Sequence, residues 1–316
     1  MDGEPLRINF ISQIDPFRSG GGGEMMNRSL IEAGRRHGHQ IRVTAAYPEP
    51  VTDLFDRPDL VILADVHNQP SARTRLDPAL VDSVIDGAVY LHLDNAYVDL
   101  CDLPYLPCGG DSDGRACLHK RSLRTQARRL LRRRGCLAAR TRRMYENARL
   151  NVFVSGLHRR TVASILGTDA VGAFLETPPT VDSAAFVDHG NERDINNLYV
   201  GALSDAKGLG ALRERFGDDI TLIGPSPSGR PPGFGDWLGQ LPYNEIPAYM
   251  NRARNFAFLP RWPEPCGRVV IEAALCGCHL IMNENVGALG FIDGFLGGRR
   301  TDAAAVFWRE AAACLG

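Results

Sequence analysis

The chain predicts an α/β protein built from two doubly wound domains. Three observations carry this. Short apolar runs of strand length alternate with helical segments from Leu6 to Ser155, and a second such series starts at Asn197. Between them, Pro178-Pro-Thr-Val-Asp182 has the composition of a linker. The 316 residues also exceed the usual size of one domain. Strands that alternate with helices pair in parallel and carry helices on both faces. The division places residues 1–182 in one domain and 183–316 in the other, with the last helix free to return to the first domain.

The elements follow in order. Leu6-Arg-Ile-Asn-Phe-Ile-Ser12 alternates and reads as a strand. A loop ending in Gly20-Gly-Gly-Gly23 leads into a helix from Glu24 to Gly34, and Gly38-His-Gln-Ile-Arg-Val-Thr44 is a turn into a second strand. Leu60–Ala64, Ala88–His92 and Asn151–Ser155 are further strands. In the second series, Asn197–Gly201, Ile220–Gly224 and Phe256–Leu259 are strands, Pro225 to Gly235 is a loop, and Ala303 to Leu315 is a terminal helix.

Composition narrows the class. With 44% apolar and 23% charged residues the chain is of ordinary globular type. A net charge of −1 argues against a protein that is basic throughout. No apolar run approaches the ~18 residues of a membrane span, and Met1-Asp-Gly-Glu-Pro has no signal-peptide character. A cytoplasmic protein with mostly reduced cysteines is the expectation. Only two of the 36 basic residues are lysines, Lys120 and Lys207, so a lysine is an unusual choice here.

The segment Glu264-Pro-Cys-Gly-Arg-Val-Val-Ile-Glu272 is the most informative. Seven residues separate its two glutamates, and it follows the apolar Phe256-Ala-Phe-Leu-Pro260. That pattern reads as a buried strand, a tight loop and a helix opening near Gly267. Unpaired N–H groups at a helix start suit an anion, typically a phosphate. Glu264, before the helix, suits polyol hydroxyls, and Glu272, on its second turn, suits another hydroxyl such as a ribose. A phosphate flanked by two hydroxyl-bearing groups is a nucleotide sugar; the plainer reading is a strand-to-helix loop with two surface glutamates. Lys207, in Asn197-Leu-Tyr-Val-Gly201-Ala-Leu-Ser-Asp-Ala-Lys-Gly208, lies after a strand in a glycine-bounded loop. A lysine there can sit over phosphates as a mobile charge or be an ordinary surface lysine. The Gly20–Gly23 run lacks the third glycine of a dinucleotide fingerprint, where Met25 or Met26 stands. It still lets backbone approach a diphosphate or an acceptor, or is a loop without function.

Together these residues resemble family 4 retaining glycosyltransferases of the GT-B fold. Gly20–Gly23 with the following helix and Gly38-His-Gln-Ile resemble the family's N-terminal glycine loop and second strand. Val154-Ser155 and Val181-Asp182 with Phe186 resemble the end of its first domain. Leu198-Tyr-Val-Gly201 with Lys207-Gly208 resembles its phosphate loop, and Glu264 to Glu272 with Gly267, Ala273 and Gly277 its paired-glutamate motif. Glu-Pro-Cys-Gly is also similar to starch and glycogen synthases. The resemblance implies two Rossmann-like domains facing a central cleft, the first on the acceptor side and the second binding a nucleotide-diphosphate sugar of UDP, GDP or ADP type. It implies that Glu264 holds donor hydroxyls, Glu272 the ribose, and Lys207 the departing diphosphate. Gly21, Gly22, Gly23, Gly201, Cys266, Gly267, Arg268 and Val269 join them as donor-binding positions. Catalysis then needs no metal. One departure stands out: where the family often has an arginine after the phosphate-loop glycine, this chain has Ala202, and Arg268 or Arg261 is the candidate substitute.

The family also places a histidine or aspartate after a first-domain strand near the acceptor or donor sugar. His67, His92 and Asp94 are the candidates, each with a structural role as the alternative. Cys101, Cys108, Cys117 and Cys136 could hold a structural zinc, but six, eight and eighteen intervening residues lack the usual knuckle spacing; free thiols are the alternative. No acidic residue occurs between Arg115 and Arg143. There Arg121, Arg124, Arg128 and Arg132 belong to an amphipathic basic helix, which is either a solvated face or a surface for an acceptor on an anionic membrane or for a nucleic acid such as DNA. The function expected is retaining transfer of a sugar to a glycan, lipid-linked or nucleic-acid acceptor, at the membrane's inner face if peripheral. The alternatives are another GT-B enzyme such as a nucleotide-sugar epimerase, or a non-catalytic nucleic-acid or membrane binder.

Overall fold

A computed structural model describes residues 4–18, 20–66, 76–100, 139–298 and 303–315. The chain forms two compact units, Met1–Thr180 with Asp302–Gly316, and Val181–Thr301. Each has its own parallel sheet.

In the first unit the strands are β1 (Arg7–Ile14), β2 (Gln40–Tyr47), β3 (Leu60–Ala64), β4 (Tyr90–Asp94), β5 (Leu150–Phe153) and β6 (Phe174–Glu176). They lie in the order β2-β1-β3-β4-β5-β6, all parallel. Every residue of β3 and β4 is buried, as helices on both faces of a parallel sheet require. The described helices are α1 (Gly22–Arg36), α2 (Pro78–Gly87), α3 (Ala139–Glu146), α4 (Gly156–Leu166), the short α5 (Thr168–Val171) and α10 (Ala303–Ala313). Asp77 caps α2 by accepting from the Ala79 N–H, with Pro78 in the first turn. Ser155 caps α4 by accepting from the His158 N–H at 3.0 Å.

The last helix does return to the first unit. Phe307 and Trp308 are buried, and the Trp308 indole N–H donates to the Leu30 carbonyl of α1 at 2.9 Å. Residues from Asp302 onward therefore group with the first unit, although the division at 182/183 had put them in the second. Apolar area decides this: an Ala-rich helix carrying Phe and Trp has a face to bury, and α1 offers one at Gly34, where the indole comes close.

The second unit contains β7 (Ile195–Val200), β8 (Thr221–Ile223), β9 (Asp236–Trp237), β10 (Ala253–Phe258) and β11 (His279–Met282), in the order β11-β10-β7-β8-β9. Its helices are α6 (Leu209–Phe216), α7 (Ile246–Arg252), α8 (Arg268–Leu275) and α9 (Ile292–Leu296). Leu198, Leu222, Met250, Phe256, Val270 and Ile271 are among its core residues. The strands from β7 to β9 run outward to one side, and the chain then crosses back to lay β10 on the other side of β7. Such a reversal opens a crevice at the carboxyl ends of the two strands, where α/β proteins bind ligands. The first unit reverses in the same way between β1 and β3. No helix among the described residues is long and apolar enough to cross a membrane.

Candidate functional site

In the second unit, the loops after β7 and β10 meet at the reversal. The Tyr199 and Phe258 rings stack with centroids 6.1 Å apart beneath them, and the Tyr199 hydroxyl donates to the Ala202 carbonyl at 2.9 Å. The Arg261 N–H donates to the Ala206 carbonyl at 2.9 Å, so the loops are joined by backbone. Gly208 makes this approach possible. Its φ is +89°, and a Cβ there would stand 1.9 Å from the Leu259 carbonyl oxygen. Only glycine fits both the left-handed backbone and the close pass.

This junction brings Lys207 to Glu264. The Lys207 ammonium donates to Glu264 Oε2 and lies 5.0 Å from the centre of the Trp262 ring, a cation–π contact. Glu264 is held at its backbone too: its N–H donates to the Asn285 carbonyl at 2.9 Å, and its carbonyl accepts from the Gly287 N–H at 3.0 Å. A carboxylate that is only 7% exposed needs a cation, because burying an unpaired charge is costly.

The helix α8 opens at Gly267 in the left-handed conformation, φ +73°, with no side-chain cap. Its first N–H groups have no intrahelical acceptor and carry the positive end of the dipole. One turn further, Glu272 is 2% exposed. Its Oε1 accepts from the Tyr243 hydroxyl at 2.7 Å and is ion-paired with Arg268, whose Nε lies 2.8 Å away. Burial holds the Glu272 carboxyl above the usual carboxylate range, against the pull of Arg268 and Tyr243. Burial and the neighbouring Glu264 push the Cys266 thiol up to about 12, so it is neutral. Val269 packs against the core, and the Gly201 N–H donates to the Ile223 carbonyl at 2.9 Å.

The two arginines proposed to stand in for the residue at Ala202 have different surroundings. Arg268 is 16% exposed and bound to Glu272, with its guanidinium 5.2 Å from the Tyr243 ring centre. Arg261 is 65% exposed and pairs with the still more exposed Asp205 at 3.0 Å.

The first-unit candidates lie in and beside a buried polar network. His92 is fully buried in the interior of β4, with Nδ1 3.2 Å from Asn151 Oδ1 and Nε2 3.4 Å from Asp99 Oδ2. It does not reach the surface of its own unit, because Asn151, Asp99 and the Tyr145 ring enclose it. Burial alone would lower its pKa, but Asp99 overrides this and raises it. Asp94 accepts from the Tyr145 hydroxyl and lies 3.3 Å from His158 Nε2. Burial favours its neutral form, yet His158, His92 and Tyr145 hold the carboxyl below the usual range. Asp65, at the end of β3, has φ +47° and binds the Asn95 N–H and side-chain amide at 2.9 and 2.7 Å. The Asn95 amide also donates to Asn27 at 2.9 Å. Gly21, without a side-chain cap, and Gly22 open α1; Gly23 lines a cavity of about 240 Å³ with Ser12, Glu24, Asn27, Asp65 and Asn95.

Sequence reasoning missed Tyr243, Trp262, Asp65, His158 and Tyr145. Trp262 stands two residues before Glu264 and could have been read from that proximity. The others have no spacing that links them to their partners. His67, the arginines Arg121, Arg124, Arg128 and Arg132, and the cysteines Cys101, Cys108, Cys117 and Cys136 lie outside the described residues. Among the described residues no group of three or more His, Cys, Asp or Glu is placed to hold a metal.

Comparison with protein-family models and with curated proteins found no match. Solved structures do match. Sucrose-phosphate synthase from Thermosynechococcus elongatus is similar at 15% identity and TM-score 0.55, over 90% of this chain and 82% of that one. Anabaena Alr3699/HepE in complex with UDP-glucose has 15% identity and TM-score 0.54, over 90% and 82%. WaaG, a glycosyltransferase involved in lipopolysaccharide biosynthesis, has 12% identity and TM-score 0.57, over 90% and 83%. At these identities the likeness is one of fold. The chain has the GT-B fold.

Proposed function

We propose that this protein is a glycosyltransferase that moves a sugar from a nucleotide-diphosphate donor to an acceptor hydroxyl with retention at the anomeric carbon. One observation carries the reading: Lys207 and Glu264 form an ion pair where the β7 and β10 loops meet, directly before an uncapped helix start and the buried Glu272. A cation and unpaired N–H groups suit a diphosphate; two carboxylates suit hydroxyl groups on either side of it. The solved structure of HepE with UDP-glucose makes a UDP sugar the first donor to try.

In this reading, donor binding exchanges partners. Lys207 leaves Glu264 for the diphosphate, and Glu264 accepts hydroxyls of the donor sugar. When the glycosidic bond breaks, negative charge grows on the leaving diphosphate. After that exchange Lys207 joins the first N–H groups of α8 beside the charge that develops, where positioned donors lower a barrier most. The chemistry asks for no metal. The neutral Cys266 is not a nucleophile.

Calorimetry with UDP, GDP and ADP sugars tests donor binding, and transfer assays on Glu264→Ala test the site. Saturable binding of one donor and loss of transfer in the variant are expected. Undiminished transfer by Glu264→Ala would overturn the assignment.

A further inference from the structure

Tyr243 comes from a different part of the second unit than α8. It begins a single 3-10 turn, Tyr243–Glu245, directly before α7. Yet its hydroxyl reaches Glu272, 29 residues later in the chain, at 2.7 Å. Two contacts hold its ring for this. The Phe186 ring lies 5.4 Å away, centre to centre, and the Arg268 guanidinium lies 5.2 Å from the ring centre. Arg268 in turn forms an ion pair with the same carboxylate, its Nε 2.8 Å from Oε1. The hydrogen bond and the ion pair converge on one atom, Glu272 Oε1. Oε2 takes no hydrogen bond from a described residue.

A carboxylate with one oxygen fixed by a hydrogen bond and an ion pair is held against rotation. It offers its second oxygen in one direction, with its full acceptor capacity intact. We infer that Tyr243 is a positioning residue that, with Arg268, locks Oε1 of Glu272 and presents Oε2 to a single ligand hydroxyl, setting the preference for ribose over deoxyribose nucleotides. This rests on the reading above, in which Glu272 faces the ribose of a nucleotide. A tyrosine serves better than a second arginine here. Its hydroxyl donates without neutralising the carboxylate further, and its ring fills the space between Phe186 and Arg268.

The test is calorimetry on the full chain with UDP, GDP and ADP. The tightest of them is then compared with its 2′-deoxy and 3′-deoxy forms and with its monophosphate. The wild-type protein should bind the ribose form roughly tenfold or more tightly than the deoxy form that lacks the bonded hydroxyl, the usual worth of a hydrogen bond to a charged group. Tyr243→Phe keeps the ring and its contacts. It should cut that ratio to roughly threefold or less while leaving the diphosphate-to-monophosphate ratio unchanged, as expected when only the hydroxyl contact is weakened. Glu272→Gln should lower the ribose preference as well. Arg268→Gln, which removes the ion pair at Oε1, should move the ratio the same way and stands in if Tyr243→Phe does not fold. A tyrosine that only supports the fold would weaken all the nucleotides together. An unchanged ribose ratio in Tyr243→Phe, or in Arg268→Gln if that variant has to stand in, overturns the inference and leaves the donor site standing. No binding of any of the three nucleotides by the wild type sinks the parent reading and this one with it.

Discussion

The paired glutamates of the second unit and the aspartates around β3 and β4 of the first take opposite kinds of partner. In the second unit each glutamate of the motif meets a cation: Lys207 on Glu264 and Arg268 on Glu272. In the first unit the aspartates around β3 and β4 meet imidazoles, a phenol and an amide instead. Asp99 pairs with His92, Asp94 with His158 and Tyr145, and Asp65 with Asn95. Both arrangements lie at or near a strand reversal, so topology does not separate them. Their chemistry does. A lysine on a flexible stem can leave its carboxylate for a more highly charged anion. A histidine sealed between strands cannot, and such a network fixes geometry and responds to protons. The second unit therefore has the exchangeable charges that a donor site needs, and the first has a rigid, proton-sensitive frame.

The largest expected effect tests the exchangeable half. Lys207→Ala should lower kcat/KM for the nucleotide sugar by roughly 10²–10³-fold, the usual loss when a donor aimed at developing charge is removed. Steady-state kinetics with the donor varied measures it. A loss under about tenfold would mean that Lys207 does not face the diphosphate, and the contrast with the first unit would weaken.

The next effect tests the proton-sensitive half. Burial, with Asp94 and Asp99 nearby, pushes the Asp65 carboxyl up to about 8, against an ordinary value of 3.8. Between those values the folded chain holds a proton that the unfolded chain has lost. Asp65 thus costs no stability below pH 3.8, and stability falls as pH rises towards about 8. Urea midpoints measured at pH 5 and pH 8 should show a smaller drop for Asp65→Asn than for wild type. Asparagine also tolerates the left-handed backbone at this position. An equal drop in both proteins would place the proton elsewhere in the network.

The smallest effect sharpens the comparison inside the second unit. Arg268→Ala should weaken donor binding by roughly tenfold, because it strips a buried carboxylate of its charged partner. Arg261→Ala should change it by less than about twofold, since exposed pairs contribute little. If both leave binding intact while Lys207→Ala abolishes it, neither arginine replaces the residue missing at Ala202. Isothermal titration of the two variants side by side decides this.

Much of the fold was legible because parallel strands buried on both faces are written as continuous apolar runs. Leu60–Ala64 is such a run and is a strand over that range. Its neighbours were displaced by a few residues: the strand read as Ala88–His92 is Tyr90–Asp94, and Ser155 proved to be the cap of α4 rather than a strand end. The two-residue β9 and the half-exposed edge strand β11 were missed, having too little apolar pattern to announce themselves. In the site, Gly267, Glu264, Glu272 and Lys207 were legible because each belongs to a local pattern of strand, loop and helix. Tyr243 was not. Its link to Glu272 spans 29 residues and no periodicity connects them.

The sequence by itself determined the two alternating α/β series, the helix opening at Gly267 and the residue types of the candidate site. These depend on interactions a few residues apart, on burial pattern, and on what glycine alone permits. Only the tertiary structure decided which side chains meet. The Lys207–Glu264 pair forms because β10 crosses back to lie beside β7, and because Gly208 lets the two loops touch. The return of α10 to α1, the clamp on Glu272 and the pairing of Asp94 with His158 have the same origin. Each joins residues that are distant in the chain, and the folded backbone, rather than any local preference, pays the entropy of bringing them together.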